Sequence, residues 1–196
     1  MHRPTREQID EEILDTAAAL FARHGVEHTS VQRVADATGY SKTGLLHRFP
    51  TKEALAEAAL ARTLAHVRRL AGEATATAPG PARDRALVAS LADLALARPG
   101  FTSLALSSVS GGAHAHTAQL QELAGVLFEA FAAGPGAGAE RTVRLTAALG
   151  GLATAALACR GELPAEVVHP LLVATAVDAL GHRADAPPPT GAGPGA

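Results

Sequence analysis

The sequence predicts an all-α protein in which a small N-terminal three-helix domain precedes a larger C-terminal helical bundle. Strand signals are nearly absent, because aromatic residues make up only 3% of the chain and Val, Ile and Thr rarely alternate with polar residues. Apolar residues make up 47%, which is enough for a substantial core. One stretch, SVQRVADATGYSKTGLLHRF at residues 30–49, interrupts the alanine-rich pattern with glycines and hydrogen-bonding side chains.

The first helix is predicted from apolar residues at three- and four-residue steps: Ile9, Ile13, Ala17, Leu20 and Phe21. Acidic residues near its amino end interact favourably with the helix dipole, and Gly25 is predicted to end the helix. A short second helix begins at about Ser30, with Thr29 or Ser30 as its N-cap, and stops at Gly39.

The third helix opens at Ser41 and ends near Phe49, because Pro50 disfavours helical geometry in the residue before it. Thr51 then caps a fourth helix, which runs from Lys52 to about Ala76. Five more helices are predicted at about residues 82–98, 100–109, 116–133, 139–159 and 164–181.

The composition excludes several classes of protein. No run of about eighteen apolar residues lacks Gly, Pro and charge, so we expect neither a signal peptide nor a membrane span, and we expect a cytoplasmic protein. Cys159 has no second cysteine with which to form an internal disulfide, in agreement with a reducing compartment. Its place on an apolar predicted helix favours a core residue over a redox sensor.

Positive charge is concentrated in one segment, although the net charge of the chain is −2. Residues 30–70 carry seven basic and three acidic side chains, a local charge of +4. The first 29 residues and residues 71–196 each sum to −3. A local basic patch on an otherwise acidic protein is what binding to nucleic-acid phosphates requires.

Residues 31–45 have the spacing of a helix-turn-helix, two short helices that cross steeply. Ala35 lies where the helices approach most closely, and Gly39 lies in the turn, where a positive φ costs glycine little. Val34 and Leu45 can face inward. The exposed face of the second helix then carries groups that can donate to phosphates or read base edges: Ser41, Lys42, Thr43, Gly44 and His47.

Residues 28–60 resemble the DNA-binding region of TetR-family transcriptional regulators. In that family a Thr or Ser opens helix two, a small residue and a turn Gly follow, the recognition helix ends in an aromatic residue, and a Lys begins helix four. The matching residues are Thr29, Ala35, Gly39, Phe49 and Lys52. The resemblance covers roughly residues 9–70, about a third of the chain; beyond them only size, helicity and helix order agree.

The resemblance implies a set of DNA-contacting residues in the second, third and fourth helices. They are Thr29, Ser30, Gln32, Arg33, Tyr40, Ser41, Lys42, Thr43, Gly44, His47, Arg48 and Lys52. The family commonly has a phosphate-contacting Tyr late in the recognition helix, where this chain has Leu46, so His47, Arg48 and Tyr40 are alternatives for that contact. Other readings stay open: Arg33 could pair with Asp36, Arg48 could be a surface residue and His47 a cap.

The resemblance also implies that the C-terminal helices bind a small effector and dimerise. Helices eight and nine are apolar on more than one face, which favours a homodimer. A two-fold dimer would place two recognition helices about 34 Å apart on a palindromic operator. The alternative is that these faces form the core of a monomeric bundle. The predicted interface is Leu149, Leu152, Ala153, Ala156, Leu171, Leu172 and Thr175. The predicted effector site is mostly apolar and consists of Phe101, Leu104, Ser107, Ser108, Leu127, Phe128, Phe131 and Leu149. The alternative is that these residues belong to the hydrophobic core.

We therefore divide the chain into a helix-turn-helix domain (residues 1–50), a connecting helix four (51–76), a ligand-binding and dimerisation domain (77–183) and a disordered tail (184–196). The expected function is a ligand-responsive repressor, released from double-stranded DNA by a small hydrophobic effector. One alternative is a sequence-tolerant DNA-packing protein without an effector. The other is a helical enzyme using His114, His116 and His169, but no nucleophile or carboxylate arrangement supports it. His114 and His116 lack a third ligand at suitable spacing, so we expect no metal site and no cofactor.

Overall fold

The computed structural model describes residues 5–109 and 118–182, and within these residues the chain forms nine α-helices and no strand. The helices are α1 (Arg6–His24), α2 (Val31–Thr38), α3 (Lys42–Arg48), α4 (Lys52–Ala74), α5 (Pro81–Ala97), α6 (Pro99–Val109), α7 (Ala118–Ala130), α8 (Ala139–Ala158) and α9 (Ala165–Ala179). The predicted all-α class is confirmed. The predicted seventh helix was too long, because Ala132 takes a positive φ of 52° that ends helical geometry. The predicted tail, residues 184–196, lies outside the described residues.

Ser and Thr hydroxyls begin the first four helices. Thr5, Ser30, Ser41 and Thr51 each accept a hydrogen bond from the backbone N–H three residues further on. These bonds satisfy donors that the first turn of a helix otherwise leaves free. Ser30, and not Thr29, is therefore the cap of α2.

Gly39 forms the turn between α2 and α3. It has φ 73° and ψ 14°, the left-handed conformation, and its N–H donates to the Ala35 carbonyl. A Cβ at this position would meet nothing within 4 Å. The need for glycine is thus conformational and not steric.

Two hydrophobic cores divide the protein, and α4 belongs to both. The head core joins α1, α2 and α3 with the first half of α4, where Leu55 and Ala59 are buried. The body core joins α5, α7, α8 and α9 with the second half of α4, including Val67 and Leu70. Because one continuous helix serves both cores, a shift of α4 in the body moves the head.

The first turn of α6 enters the head core, so α6 is a second link between head and body. Phe101 and Leu104 are buried with the apolar residues of α1. The buried carboxylate of Glu11 in α1 forms an ion pair with Arg62 of α4 at 3.1 Å, and it lies 2.5 Å from Nε2 of His66 in the same helix. The head is thus held by apolar contacts and by a buried ion pair. No helix within the described ranges is both long and apolar enough to cross a membrane.

Candidate nucleic-acid interface

The outer face of α3 is exposed because a single buried residue anchors the helix from behind. Leu45 is 0% exposed and packs in the head core with Val34 and Ala35 of α2, as predicted. The five residues predicted for the outer face are all exposed: Ser41, Lys42, Thr43, Gly44 and His47. The structure therefore presents one cation, two hydroxyls and one imidazole together on a short helix.

Ser41 and Gly44 depend on one another. The Ser41 hydroxyl accepts the Gly44 N–H at 3.0 Å and so caps α3. A Cβ on Gly44 would lie 3.0 Å from the same oxygen, tighter than ordinary van der Waals contact. Gly44 thus protects the cap and also leaves the outer surface of the helix open to close approach by a partner.

The exposed face of α2 lies beside the turn. Gln32 donates to the Asp36 carboxylate at 2.7 Å, so the alternative in which Arg33 pairs with Asp36 is wrong. Arg33 is exposed and forms no ion pair within the described part of the chain. Burial lowers the pKa of the nearby His24 imidazole, and the positive charges of Arg33 and Arg23 lower it further.

The side chain of Thr29 is buried and does not face the surface. Its side chain is 1% exposed, and its hydroxyl donates to the Gly25 carbonyl at 2.8 Å. This hydroxyl is therefore not available to a phosphate, because the side chain links the end of α1 to the start of α2. The adjacent Ser30 is exposed, and its Oγ accepts the Arg33 N–H at 3.1 Å.

The two cations at the ends of α3 and α4 are already engaged. The Arg48 guanidinium forms an ion pair with Asp10 of α1, which neutralises the charge predicted for a phosphate. Lys52 Nζ donates to the Glu27 carbonyl at 3.3 Å and lies 4.0 Å from carboxylate oxygens of Glu27 and Glu53. Arg48 is thus a structural residue, while Lys52 combines an anchoring contact with partial exposure.

Tyr40 and Leu46 are both half-buried, and Tyr40 packs against the head core. Leu46 has no polar group to offer a phosphate, and of the three residues considered in its place, Tyr40, His47 and Arg48, only His47 is exposed.

The predicted effector residues fall into different environments. Leu127 and Leu149 line an apolar cavity of about 50 Å³ enclosed by α4 to α8. Phe101 and Leu104 instead pack against α1, because residues three apart lie on the same face of α6. The opposite face of α6, which carries Thr102, Ala105 and Leu106, lines the cavity. The predicted residues Phe101 and Leu104 thus lie on the other side of α6 from this cavity.

Three further predicted effector residues, Ser107, Phe128 and Phe131, are not in the lining of this cavity. Phe128 and Phe131 pack in the body core. The Ser107 hydroxyl donates to the Leu104 carbonyl at 2.6 Å. The side chain of Ser108 lies outside what the structure describes.

Most of the predicted dimer residues face the core of their own subunit. Leu149, Leu152, Ala153, Ala156 and Leu172 are all buried, because α8 and α9 turn these side chains toward each other and toward α5 and α6. Only Leu171, 60% exposed, and Thr175 are outside.

The outer face of α8 and α9 carries an apolar groove, and four of the predicted interface residues line it: Leu152, Leu171, Leu172 and Thr175. Leu171 and Thr175 line it together with Ala147, Gly151 and Leu163. Cys159, half-buried at the end of α8, also reaches it. The spacing of Ala147, Gly151 and Ala155, four residues apart on one face of α8, was the available sequence signal for the groove.

Metal-ligating side chains do not gather within residues 5–109 and 118–182, where no group of three or more could hold an ion. His114 and His116 lie outside these residues. His169 Nε2 lies 3.1 Å from Asp93 Oδ1.

Comparison with known proteins identifies the head. Residues 13–59 match the family model described as bacterial regulatory proteins, tetR family. A segment of 46 residues is 44% identical to the HTH-type transcriptional repressor KstR2 of Rhodococcus jostii strain RHA1, and it covers 24% of this chain and 22% of that protein. The chain thus matches about a fifth of the length of this relative.

Solved structures resemble the fold over most of the chain. A TetR-like transcriptional regulator from Rhodococcus sp. RHA1 has a TM-score of 0.61 at 19% identity, covering 92% of this chain and all of that one. A TetR-family regulator from another Rhodococcus sp. has a TM-score of 0.52 at 20% identity, covering 88% and 98%. These identities support the shared fold alone. With the family match over residues 13–59, the resemblance drawn from residues 28–60 is confirmed, and the N-terminal head is similar to the DNA-binding region of the tetR family of bacterial regulatory proteins.

Proposed function

We propose that this protein is a transcriptional repressor that binds a palindromic DNA operator as a homodimer and leaves it when a small hydrophobic molecule binds the body. The observation that carries the proposal is the exposed face of α3, which has no apolar covering and whose Lys42 forms no ion pair within the described ranges. The KstR2 match supports the choice of repressor over activator.

The DNA contacts follow from which side chains are free. Lys42, with Arg33 and Lys52, serves the phosphates, and the N-terminus of α2 at Ser30 adds backbone donors. Thr43, in the first turn of α3, faces the base edges. His47 takes the place of the phosphate-contacting Tyr, for which this chain has Leu46.

The dimer forms through the apolar groove between α8 and α9. Leu163, Val167 and Leu171 are large apolar side chains about half or more exposed, and they lie on or beside the groove. Isolated exposed apolar residues are ordinary, but a contiguous apolar groove favours a protein partner. A second copy related by two-fold symmetry covers both grooves at once and presents two α3 helices on one face of DNA.

The effector enters the cavity around Leu127 and Leu149, whose walls are apolar. The free space is small, so a ligand has to displace α6 or its neighbours to fit. Phe101 and Leu104 on the same helix are buried against α1, so this displacement reaches the head. The ligand releases DNA only to the extent that it binds the displaced arrangement more tightly.

The experiment is DNA binding by the purified full chain, measured by fluorescence anisotropy on a duplex with an inverted repeat from upstream of its own gene. We expect Lys42→Ala to weaken binding and to lower the slope of log affinity against log salt by about 0.9 for each phosphate contact removed. Arg85→Ala, which removes one exposed charge from α5, is the matched control and should change neither quantity.

Two outcomes would count against the proposal. Equal affinity for the operator duplex and a scrambled duplex would favour the sequence-tolerant DNA-packing alternative. An unchanged salt slope in Lys42→Ala would remove α3 from the interface.

A further inference from the structure

Arg83, in the first turn of α5, is a largely buried residue whose guanidinium group is incompletely paired within the described part of the chain. The residue is 9% exposed, and its Nε is buried with no hydrogen-bond partner. Among residues 5–109 and 118–182 it forms no ion pair. Buried guanidinium groups are normally paired and fully hydrogen-bonded, because removing the charge from water is costly. The described residues therefore leave this site without a full set of hydrogen-bond partners.

Two carboxylates that adjoin Arg83 in the sequence or in the lining of one cavity are committed to other cations. Asp84, the next residue, accepts Arg141 Nη2 at 2.6 Å and lies 2.6 Å from His182 Nε2. Glu73, on the last turns of α4, pairs with Arg69 at 2.8 Å. Arg83 is thus left unpaired beside carboxylates that its neighbours already neutralise.

Arg83 lines a cavity of about 110 Å³ between the end of α4 and the start of α5. Leu70, Ala74 and Leu87 form apolar walls. Thr77 and Ser90 also line it, and in the described part of the chain neither hydroxyl makes a hydrogen bond. The cavity thus combines apolar walls with converging polar side chains, a combination that small-molecule sites also have.

We propose that this cavity binds a small monocarboxylate whose carboxylate pairs with Arg83 and whose short hydrocarbon chain lies against Leu70 and Leu87. The planar guanidinium matches a carboxylate in geometry, and its single charge matches a monoanion. A phosphate dianion fits less well, because Glu73 shares the wall and Arg83 is the single cationic side chain among the described residues that line the cavity. Thr77 and Ser90 supply further donors to the second carboxylate oxygen.

The proposal goes beyond the proposed function. The cavity lies at the end of α4 remote from Lys52, and its lining shares no residue with the cavity around Leu127 and Leu149. Binding here therefore holds whether or not the chain binds DNA.

The test uses butyrate, with butyramide as its neutral isostere and inorganic phosphate as the competing anion, at constant ionic strength. Thermal unfolding and calorimetric titration of the full chain report binding. We expect butyrate to raise Tm in a saturable way, and butyramide and phosphate to leave Tm unchanged. Arg83→Met should weaken butyrate binding at least tenfold, whereas Arg85→Met, an exposed control on the same helix, should keep it.

Several results would overturn the proposal. They are equal shifts with butyrate and butyramide, a larger shift with phosphate, or butyrate binding retained in Arg83→Met. A lower ligand-free Tm in Arg83→Met would show that the guanidinium has a structural partner, since an apolar replacement of an unpaired buried charge should be neutral or stabilising. If Arg83→Met does not fold, Ser90→Ala replaces it: about threefold weaker butyrate binding supports the site, and unchanged affinity refutes it.

Discussion

Gly100 lies directly against Asp15, where the first turn of α6 meets α1. A Cβ on Gly100 would overlap the Asp15 carbonyl oxygen and lie 2.6 Å from its carbonyl carbon. The next residue, Phe101, donates its backbone N–H to Asp15 Oδ1 at 2.9 Å. Body and head therefore touch backbone to backbone, with a carboxylate capping the helix between them.

Gly100→Ala should destabilise the protein, because backbone atoms cannot yield as a flexible side chain can. We expect the free energy of unfolding to fall by about 3 kcal/mol, measured by urea denaturation. Gly72→Ala in α4 is the control. A Cβ there meets nothing within 4 Å, so it should be neutral or stabilise by up to about 1 kcal/mol. Equal stability of the two variants would show that α1 and α6 separate easily.

Asp15 should make stability pH-dependent. Burial raises the pKa of its carboxyl above the usual value, against hydrogen bonds from Phe101 and Gly100 and the charge of Arg98, which lower it. A raised pKa in the folded state means that the folded protein binds the proton more tightly than the unfolded chain. The contribution of Asp15 is then fully present below the unfolded pKa and is lost as pH rises through the folded pKa.

Asp15→Asn should abolish this loss. We expect the unfolding free energy of the variant, relative to the wild type, to increase as pH rises from about 4 to about 7. Urea denaturation across that range measures it. A relative decrease over the same range would mean that the hydrogen bonds outweigh burial and that the folded pKa is lowered.

The ion pair between Arg48 and Asp10 should contribute to folding and not to DNA binding. A double-mutant cycle with Arg48→Ala and Asp10→Ala should give a coupling of about 1 kcal/mol in unfolding free energy, since both side chains are partly exposed. Arg48→Ala should also leave the salt slope of DNA binding nearly unchanged, in contrast to Lys42→Ala. A slope lowered as much as in Lys42→Ala would return Arg48 to the phosphate contacts.

Leu171→Asp should dissociate the proposed dimer, because it places a charge on the apolar groove between α8 and α9. Sedimentation velocity should show a monomer with unchanged helix content. Ala65→Asp on the exposed face of α4 adds the same charge away from the groove and should remain dimeric. A dimeric Leu171→Asp, or a monomeric wild type, would contradict the assignment of this face.

Sequence alone determined the local architecture of the head. Ser41 and Thr51 act as caps, Gly39 turns the chain and Pro50 ends α3, because each depends on the conformational preferences of a few adjacent residues. The exposure of Lys42 and Thr43 followed in the same way, once the spacing of Val34 and Leu45 fixed the buried side.

Tertiary structure decided what depends on distant partners. Arg48 and Asp10 are 38 residues apart in the sequence, and Phe101 and Asp15, which share a hydrogen bond, are 86 residues apart. No local pattern therefore predicts these contacts. In α9, Leu172 is buried while the adjacent Leu171 is exposed, since an alanine-rich helix with apolar residues all round does not specify which face its neighbours cover. Local preference sets where helices begin and end; the packing of whole helices against one another sets which side chains remain free for a partner.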